Sequence, residues 1–126
     1  MDDRPPLPEW TCGRVTLLGD AAHAMLPYLA QGAGQSIEDA YVLAHCLERD
    51  RDDPDRALQR YAACRRERTS AMQAGSREAG RTMHLAGVEE VRARNERMRA
   101  DPNAHIARYD WIYGYDVTRE MGPSPP

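Results

Sequence analysis

The chain has 126 residues, a formal net charge of -3, a mean hydropathy of -0.75 and no Phe, with aromatic residues at only 6%. That length suits one small domain, and the acidic balance argues against a nucleic-acid partner. A chain so short of aromatics buries less apolar area per residue than usual, so marginal stability is expected for it alone. All 17 basic residues are Arg, which reads as coding bias of a GC-rich genome rather than an Arg-specific function. The three cysteines, Cys12, Cys46 and Cys64, are odd in number and lack C-x-x-C spacing. They therefore predict buried free thiols in a reducing cytoplasm, not a disulfide framework or a zinc site. The start is acidic and proline-rich, with no signal-peptide pattern. No apolar run approaches the roughly eighteen residues a membrane helix needs, and a cytoplasmic protein is expected.

Residues 1–12 form a lead-in whose prolines, Pro5, Pro6 and Pro8, forbid helix, with Trp10 as its anchor. Residues 13–18 carry the run Val15-Thr16-Leu17-Leu18, long enough for one buried strand. One strand is not stable alone, so another copy must cover its edges or it does not form. Gly19-Asp20 ends it. A carboxylate just past a strand end, beside a glycine that permits close approach, can accept hydrogen bonds from sugar-type hydroxyls. A loop follows, with Pro27 and the cluster Gln31-Gly32-Ala33-Gly34. Glycines feeding a helix N-terminus leave amide N–H groups free to point at negative charge.

Residues 35–49 read as a helix with a narrow apolar face of Ile37, Ala40, Ala44 and Leu47, and with Glu38 and Asp39 at its positive end. Asp53 is a good N-cap and Pro54 a good first residue for a long helix running to about Met83. Leu58, Tyr61, Arg65 and Met72 lie near one face of it, among Ala57, Ala62 and Ala63. The basic cluster Arg60, Arg65, Arg66 and Arg68 is read as a solvated helix face rather than a nucleic-acid surface, because aromatics are not interleaved with it. Gly75, Gly80 and Gly87 predict local breaks or bends. Residues 88–99 are helical again, and Asp101-Pro102-Asn103 stops them. Residues 104–111 make a short helical turn or two. Residues 101–119 hold the aromatic cluster Tyr109, Trp111, Tyr113 and Tyr115, and residues 120–126 are expected as a disordered tail.

The run Gly19-Asp20-Ala21-Ala22-His23, then Pro27, then Gln31-Gly32-Ala33-Gly34-Gln35-Ser36-Ile37-Glu38-Asp39-Ala40 resembles the second flavin-binding motif of class A flavin-dependent aromatic hydroxylases. These are the salicylate hydroxylase-like monooxygenases. The aromatic segment near the C-terminus is similar to the end of the same group. By this resemblance Asp20 would hydrogen-bond the ribityl hydroxyls of FAD, with Gly19 allowing close approach. Gly32, Ala33 and Gly34 would offer backbone N–H groups to the pyrimidine side of the flavin ring, where reduced flavin carries negative charge. Pro27 would lie by the ring and the substrate. His23 is read as a packing and hydrogen-bonding residue rather than an acid–base group. Adjacent Glu38 and Asp39 point about 100° apart on a helix and cannot form a paired-carboxylate site. His45, His84 and His105 lack metal-ligand spacing.

The resemblance implies NAD(P)H-dependent hydroxylation of a phenolic or aromatic acid substrate, with FAD as cofactor and NADH or NADPH as co-substrate. It covers nearly all of this chain but only about the last third of a family member. No G-x-G-x-x-G follows a strand, so the pyrophosphate site is not here. Met1 therefore looks like a start inside the family's flavin domain. The chain is expected to be mainly α, with two or three long helices and at most one short strand, although the parent family is α/β with a Rossmann-like FAD domain. A homo-oligomer or a missing N-terminal half is expected as partner. The alternative is a catalytically inactive, self-associating helical fragment whose flavin motif is a relic.

Overall fold

Helix punctuation in the sequence sets most of the element boundaries in this computed structural model, which describes residues 3–122. The Asp53 side chain accepts from the Arg56 N–H at 3.0 Å and Pro54 opens the 30-residue helix Pro54–Met83. Asp101 likewise accepts from the Ala104 N–H at 2.8 Å as Pro102–Ala107 begins. Asp116 accepts from the Thr118 N–H at 3.0 Å before Val117–Met121. In chain order the elements are β1 (Thr11–Cys12), β2 (Val15–Thr16), α1 (Asp20–His23), a 3-10 turn (Pro27–Leu29), α2 (Gly32–Arg49), α3 (Pro54–Met83), α4 (Val88–Ala100), α5 (Pro102–Ala107), α6 (Asp110–Tyr113) and α7 (Val117–Met121). The chain is mainly α, as expected, with α2, α3 and α4 as its long helices.

The run 13–18 is not one strand. β1 and β2 are two-residue strands paired antiparallel, Thr11 with Thr16 and Cys12 with Val15. Gly13, at φ +53°, makes the turn between them. The hairpin gives the run a partner within the chain. Leu17 leaves the ladder but donates its N–H to the Trp10 carbonyl at 2.9 Å. Trp10 is the anchor the lead-in needed: it is buried with Ala22, Val42, Cys46, Ala57, Tyr61 and Ala62 in one core cluster. Met25, Leu29, Met72, Ala79 and Ile112 form a second.

Helix α2 packs along α3, but with a face other than the apolar one. Gln35, Asp39, Val42, His45 and Cys46 are buried, while Ile37 is 72% exposed, Leu47 is 41% exposed, and Ala40 and Ala44 are exposed too. The helix also begins at Gly32, so Glu38 and Asp39 lie past its first turn. The inward side joins charge pairing to apolar contact: Asp39 meets a fully buried Arg65 from α3, which permits its burial, and Val42 and Cys46 enter the first core cluster. Arg65 is accordingly not on a solvated face, although Arg66 beside it is partly exposed.

Helix α3 runs unbroken through Gly75 and Gly80. Both glycines serve close packing rather than bending. A Cβ on Gly80 would stand 2.5 Å from the Tyr28 ring, and one on Gly75 would stand 3.0 Å from Leu29. Gly87 does end a break, as the residue before α4. Helix α7 includes Glu120 and Met121 of the expected tail because Val117 and Met121 pack on the first core cluster. Residues 123–126 of that tail lie outside the described residues. Of the three thiols only Cys46 is buried, and Cys12 and Cys64 are exposed. Among the described residues no helix is long and apolar enough to cross a membrane.

Candidate functional site

The one-turn helix α1 is too short to hold itself together by its own hydrogen bonds, so its position must come from elsewhere. It comes from Asp39. One carboxylate oxygen, Oδ2, accepts from the Gly19 N–H at 3.0 Å and lies 2.6 Å from His23 Nε2. Asp39 thus holds both ends of the turn that carries Asp20. The other oxygen, Oδ1, accepts from Arg65 Nε at 2.7 Å. Arg65 further donates to Glu38 Oε2 at 2.8 Å and Gln35 Oε1 at 2.8 Å, and Arg68 donates to the same Glu38 oxygen at 2.8 Å.

These groups settle each other's charges. Burial works against the Asp39 carboxylate, but hydrogen bonds from His23, Arg65 and the Gly19 amide outweigh it and hold its pKa below the ordinary range. Burial likewise opposes the Arg65 charge, and Asp39 and Glu38 more than offset it. The Nδ1 of His23 is buried without a hydrogen-bond partner. The tautomer that fits therefore carries its proton on Nε2 and donates to Asp39. His23, only 1% exposed and 5.5 Å from the Trp10 ring, is a packing and hydrogen-bonding residue here.

Gly19 is irreplaceable by geometry. Its φ is +61°, and a Cβ there would stand 2.8 Å from Ser36 Oγ in α2. Ser36 in turn donates to the Gly32 carbonyl at 3.0 Å. The turn thereby sits directly against the first turns of α2. Asp20 is exposed; its backbone carbonyl accepts from Arg4 at 2.8 Å, while its carboxylate has no hydrogen-bond partner among the described residues. A Cβ on Gly32 would stand 3.8 Å from Asp20 Oδ1, so carboxylate and helix start share one opening. No side chain caps α2 and no acidic residue occupies its first turn, which leaves the positive helix end available to an anion.

The opening has a volume of about 400 Å³ and is lined by residues that include Asp20, Leu26, Pro27, Gly32, Ala33 and Ser36. Four of the six predicted contact residues, Asp20, Pro27, Gly32 and Ala33, therefore line one depression. Gly19 lies behind it as support. Gly34, one residue further along α2, does not line it; a Cβ there would stand 3.5 Å from Gln31 Oε1. Sequence reasoning missed the anchoring set Asp39, Arg65, Glu38 and Arg68. Its signal was available as charge complementarity, since Glu38-Asp39 on one helix faces Arg65 and Arg68, three apart, on the next. No cluster able to hold a metal ion occurs among the described residues.

A Gly-Asp turn anchored on a buried ion pair thus faces an uncapped helix start across one depression. The family described as FAD binding domain matches residues 6–76, and the chain belongs to that family. A 3-amino-4-hydroxybenzoate 2-monooxygenase of Streptomyces platensis is 45% identical over 91% of this chain and 28% of its own length. A 3-hydroxybenzoate 6-hydroxylase of Aquipseudomonas alcaligenes is 42% identical over 97% of this chain and 38% of its own length. A solved salicylate hydroxylase substrate complex superposes with a TM-score of 0.72 at 38% identity, over 96% of this chain and 30% of that one. The chain thus spans about a third of the length of these relatives.

FAD fits the residues present, in part. The unpartnered Asp20 carboxylate suits sugar-type hydroxyls, and the uncapped amides of α2 suit an anionic ring edge. A depression of about 400 Å³ accommodates a portion of so large a molecule, and no glycine-rich pyrophosphate loop of the G-x-G-x-x-G type occurs in the sequence.

Proposed function

We propose that residues 1–126 are the C-terminal part of the FAD-binding domain of an aromatic-ring monooxygenase, and that they supply the second set of flavin contacts. The observation that carries this reading is the shared opening of Asp20, Pro27, Gly32 and Ala33. Asp20 accepts from the ribityl hydroxyls. The amides of Gly32 and Ala33, which line the opening, would hold the pyrimidine side of the ring and favour its negative charge on reduction, with Gly34 one residue further along α2. Pro27 shapes the loop beside the ring. FAD supplies the redox chemistry when bound, with NADH or NADPH as the electron source and a phenolic or aromatic acid as the ring to be hydroxylated. The 3-amino-4-hydroxybenzoate, 3-hydroxybenzoate and salicylate hydroxylating relatives support this substrate class. A cytoplasmic setting accords with that chemistry.

FAD titration of the chain, followed by flavin fluorescence, tests the reading. Saturable binding that weakens about tenfold or more in Asp20→Ala is the expected result. Wild-type protein that leaves flavin fluorescence unchanged would sink it.

One observation favours a second reading. Ile37, Ala40, Tyr41, Ala44 and Leu47 present an exposed apolar stripe on α2. On that reading the chain is a catalytically inactive fragment that self-associates through α2. Light scattering separates the two: a dimer without flavin binding favours self-association, and a monomer that binds FAD favours the cofactor half-site.

A further inference from the structure

We infer that Asp39 and Arg65 are positioning residues for flavin binding, acting through the Gly19-Asp20 turn rather than by touching the cofactor. This inference rests on the half-site reading above. It starts from an asymmetry between two neighbouring carboxylates. Asp20 is exposed and its carboxylate has no hydrogen-bond partner among the described residues, whereas Asp39 is fully buried and saturated. The exposed one suits a ligand. The buried one determines where the exposed one points.

The coupling is short and continuous. Arg65 Nε donates to Asp39 Oδ1 at 2.7 Å. Asp39 Oδ2 takes the Gly19 N–H at 3.0 Å and contacts His23 Nε2 at 2.6 Å. Gly19 is the residue before Asp20, and His23 is the last residue of the same four-residue helix. Asp39 therefore fixes α1 at both ends; Arg4 also donates to the Asp20 and Ala21 carbonyls and Gln73 to the Ala24 carbonyl at 2.9 Å, but among the described residues only Asp39 joins Gly19 to His23. A turn this short has little stability of its own. With Asn at this place a single amide oxygen replaces the two carboxylate oxygens and cannot serve Arg65 on one side and Gly19 with His23 on the other, so the turn loses its anchor and Asp20 a defined direction. Loss of preorganisation at a binding carboxylate weakens binding without removing any contact atom.

The same bonds explain why Arg65 is an arginine. Its planar fork satisfies Asp39, Glu38 and Gln35 together, which a lysine point charge cannot do from one place. Glu38 is shared with Arg68. Arg68 thus answers for part of the Glu38 charge, but among the described residues no arginine other than Arg65 reaches Asp39.

Two measurements on the 126-residue chain test the inference. The first is amide hydrogen exchange by NMR and needs no flavin. In the wild type the Gly19 amide should exchange at least about tenfold more slowly than that of Gly13, a glycine in an exposed turn. In Asp39→Asn that protection should vanish while amides of α3 stay protected. The second is a double-mutant cycle on FAD affinity. Asp39→Asn should weaken binding about tenfold, and should weaken it no further in the Asp20→Ala background. A Gly19 amide as fast as that of Gly13, or additive losses in the cycle, overturns the inference; additivity is what a merely structural role would give. If Asp39→Asn does not fold, Asp39→Glu keeps the charge that Arg65 needs, moves the carboxylate by one methylene and gives the same readouts. Wild-type protein that does not bind FAD sinks the half-site reading instead, and the exchange comparison still decides whether Asp39 holds the turn.

Discussion

Replacing Arg65 with Met removes the cation at the centre of the chain while keeping a flexible apolar side chain of similar reach. The guanidinium is fully buried. It donates to Asp39 Oδ1 at 2.7 Å, Glu38 Oε2 at 2.8 Å, Gln35 Oε1 at 2.8 Å and the Gln35 carbonyl at 3.4 Å. Breaking a buried pair by deleting one partner costs about 3–5 kcal/mol, since the other charge is left in a dry place. Here the two carboxylates are not stranded, although the buried Gln35 Oε1 loses its donor. Asp39 keeps His23 and the Gly19 amide, and Glu38 keeps Arg68. The lower end of the range applies, about 3 kcal/mol, which for a domain of this size lowers the melting temperature by about 10–15 °C. Thermal melts followed by far-UV circular dichroism measure it. Arg65→Lys should recover only part of the loss, because one ammonium cannot serve three acceptors in different directions. A fall of less than about 3 °C for Arg65→Met would refute the reasoning. It would mean that water reaches Asp39 and the pair contributes no more than a surface one.

Gly80→Ala places a Cβ 2.5 Å from the Tyr28 ring. The clash should outweigh the helix-propensity gain of about 1 kcal/mol, so the variant melts lower than wild type, and Tyr28→Ala in the same chain should relieve that loss. The Asp39 carboxylate has its folded pKa below its unfolded one. Its contribution is therefore complete above the unfolded value near 4 and is lost as pH falls through the folded value. The melting difference between wild type and Asp39→Asn should accordingly shrink as pH is lowered from about 5 to about 2. Cys12 and Cys64 are exposed, whereas burial, with the nearby Cys64 adding to it, pushes the Cys46 thiol up to about 11. Native protein should therefore show two quickly reacting thiols to a chromogenic disulfide, and the third only after unfolding. Three fast thiols would contradict the burial of Cys46.

What could be read from the chain alone was local. Asp53-Pro54 announces a helix start because capping and the fixed proline φ act within one turn, and α3 begins there. Asp101-Pro102-Asn103, read as a stop, does end α4 but also opens α5, since the Asp101 carboxylate caps the next turn. The family resemblance was equally legible, since Gly19-Asp20 and Gln31 to Gly34 are contiguous stretches, and the family match over residues 6–76 includes them. Only the tertiary structure decided which side of α2 faces inward. By periodicity Ile37, Ala40, Ala44 and Leu47 are the buried stripe, yet all four are exposed. The side turned in instead carries Val42 and Cys46 into the core and sets Asp39 against Arg65, 26 residues apart. Hydropathy patterns have no means of anticipating that pairing, because each charge alone would forbid its own burial and only the two together, with His23 and Gly19, permit it. Gly75 and Gly80 carry the same lesson. Within the helix they look like weaknesses, and only the rings and methyls that pack against them show that α3 needs a side with no Cβ there.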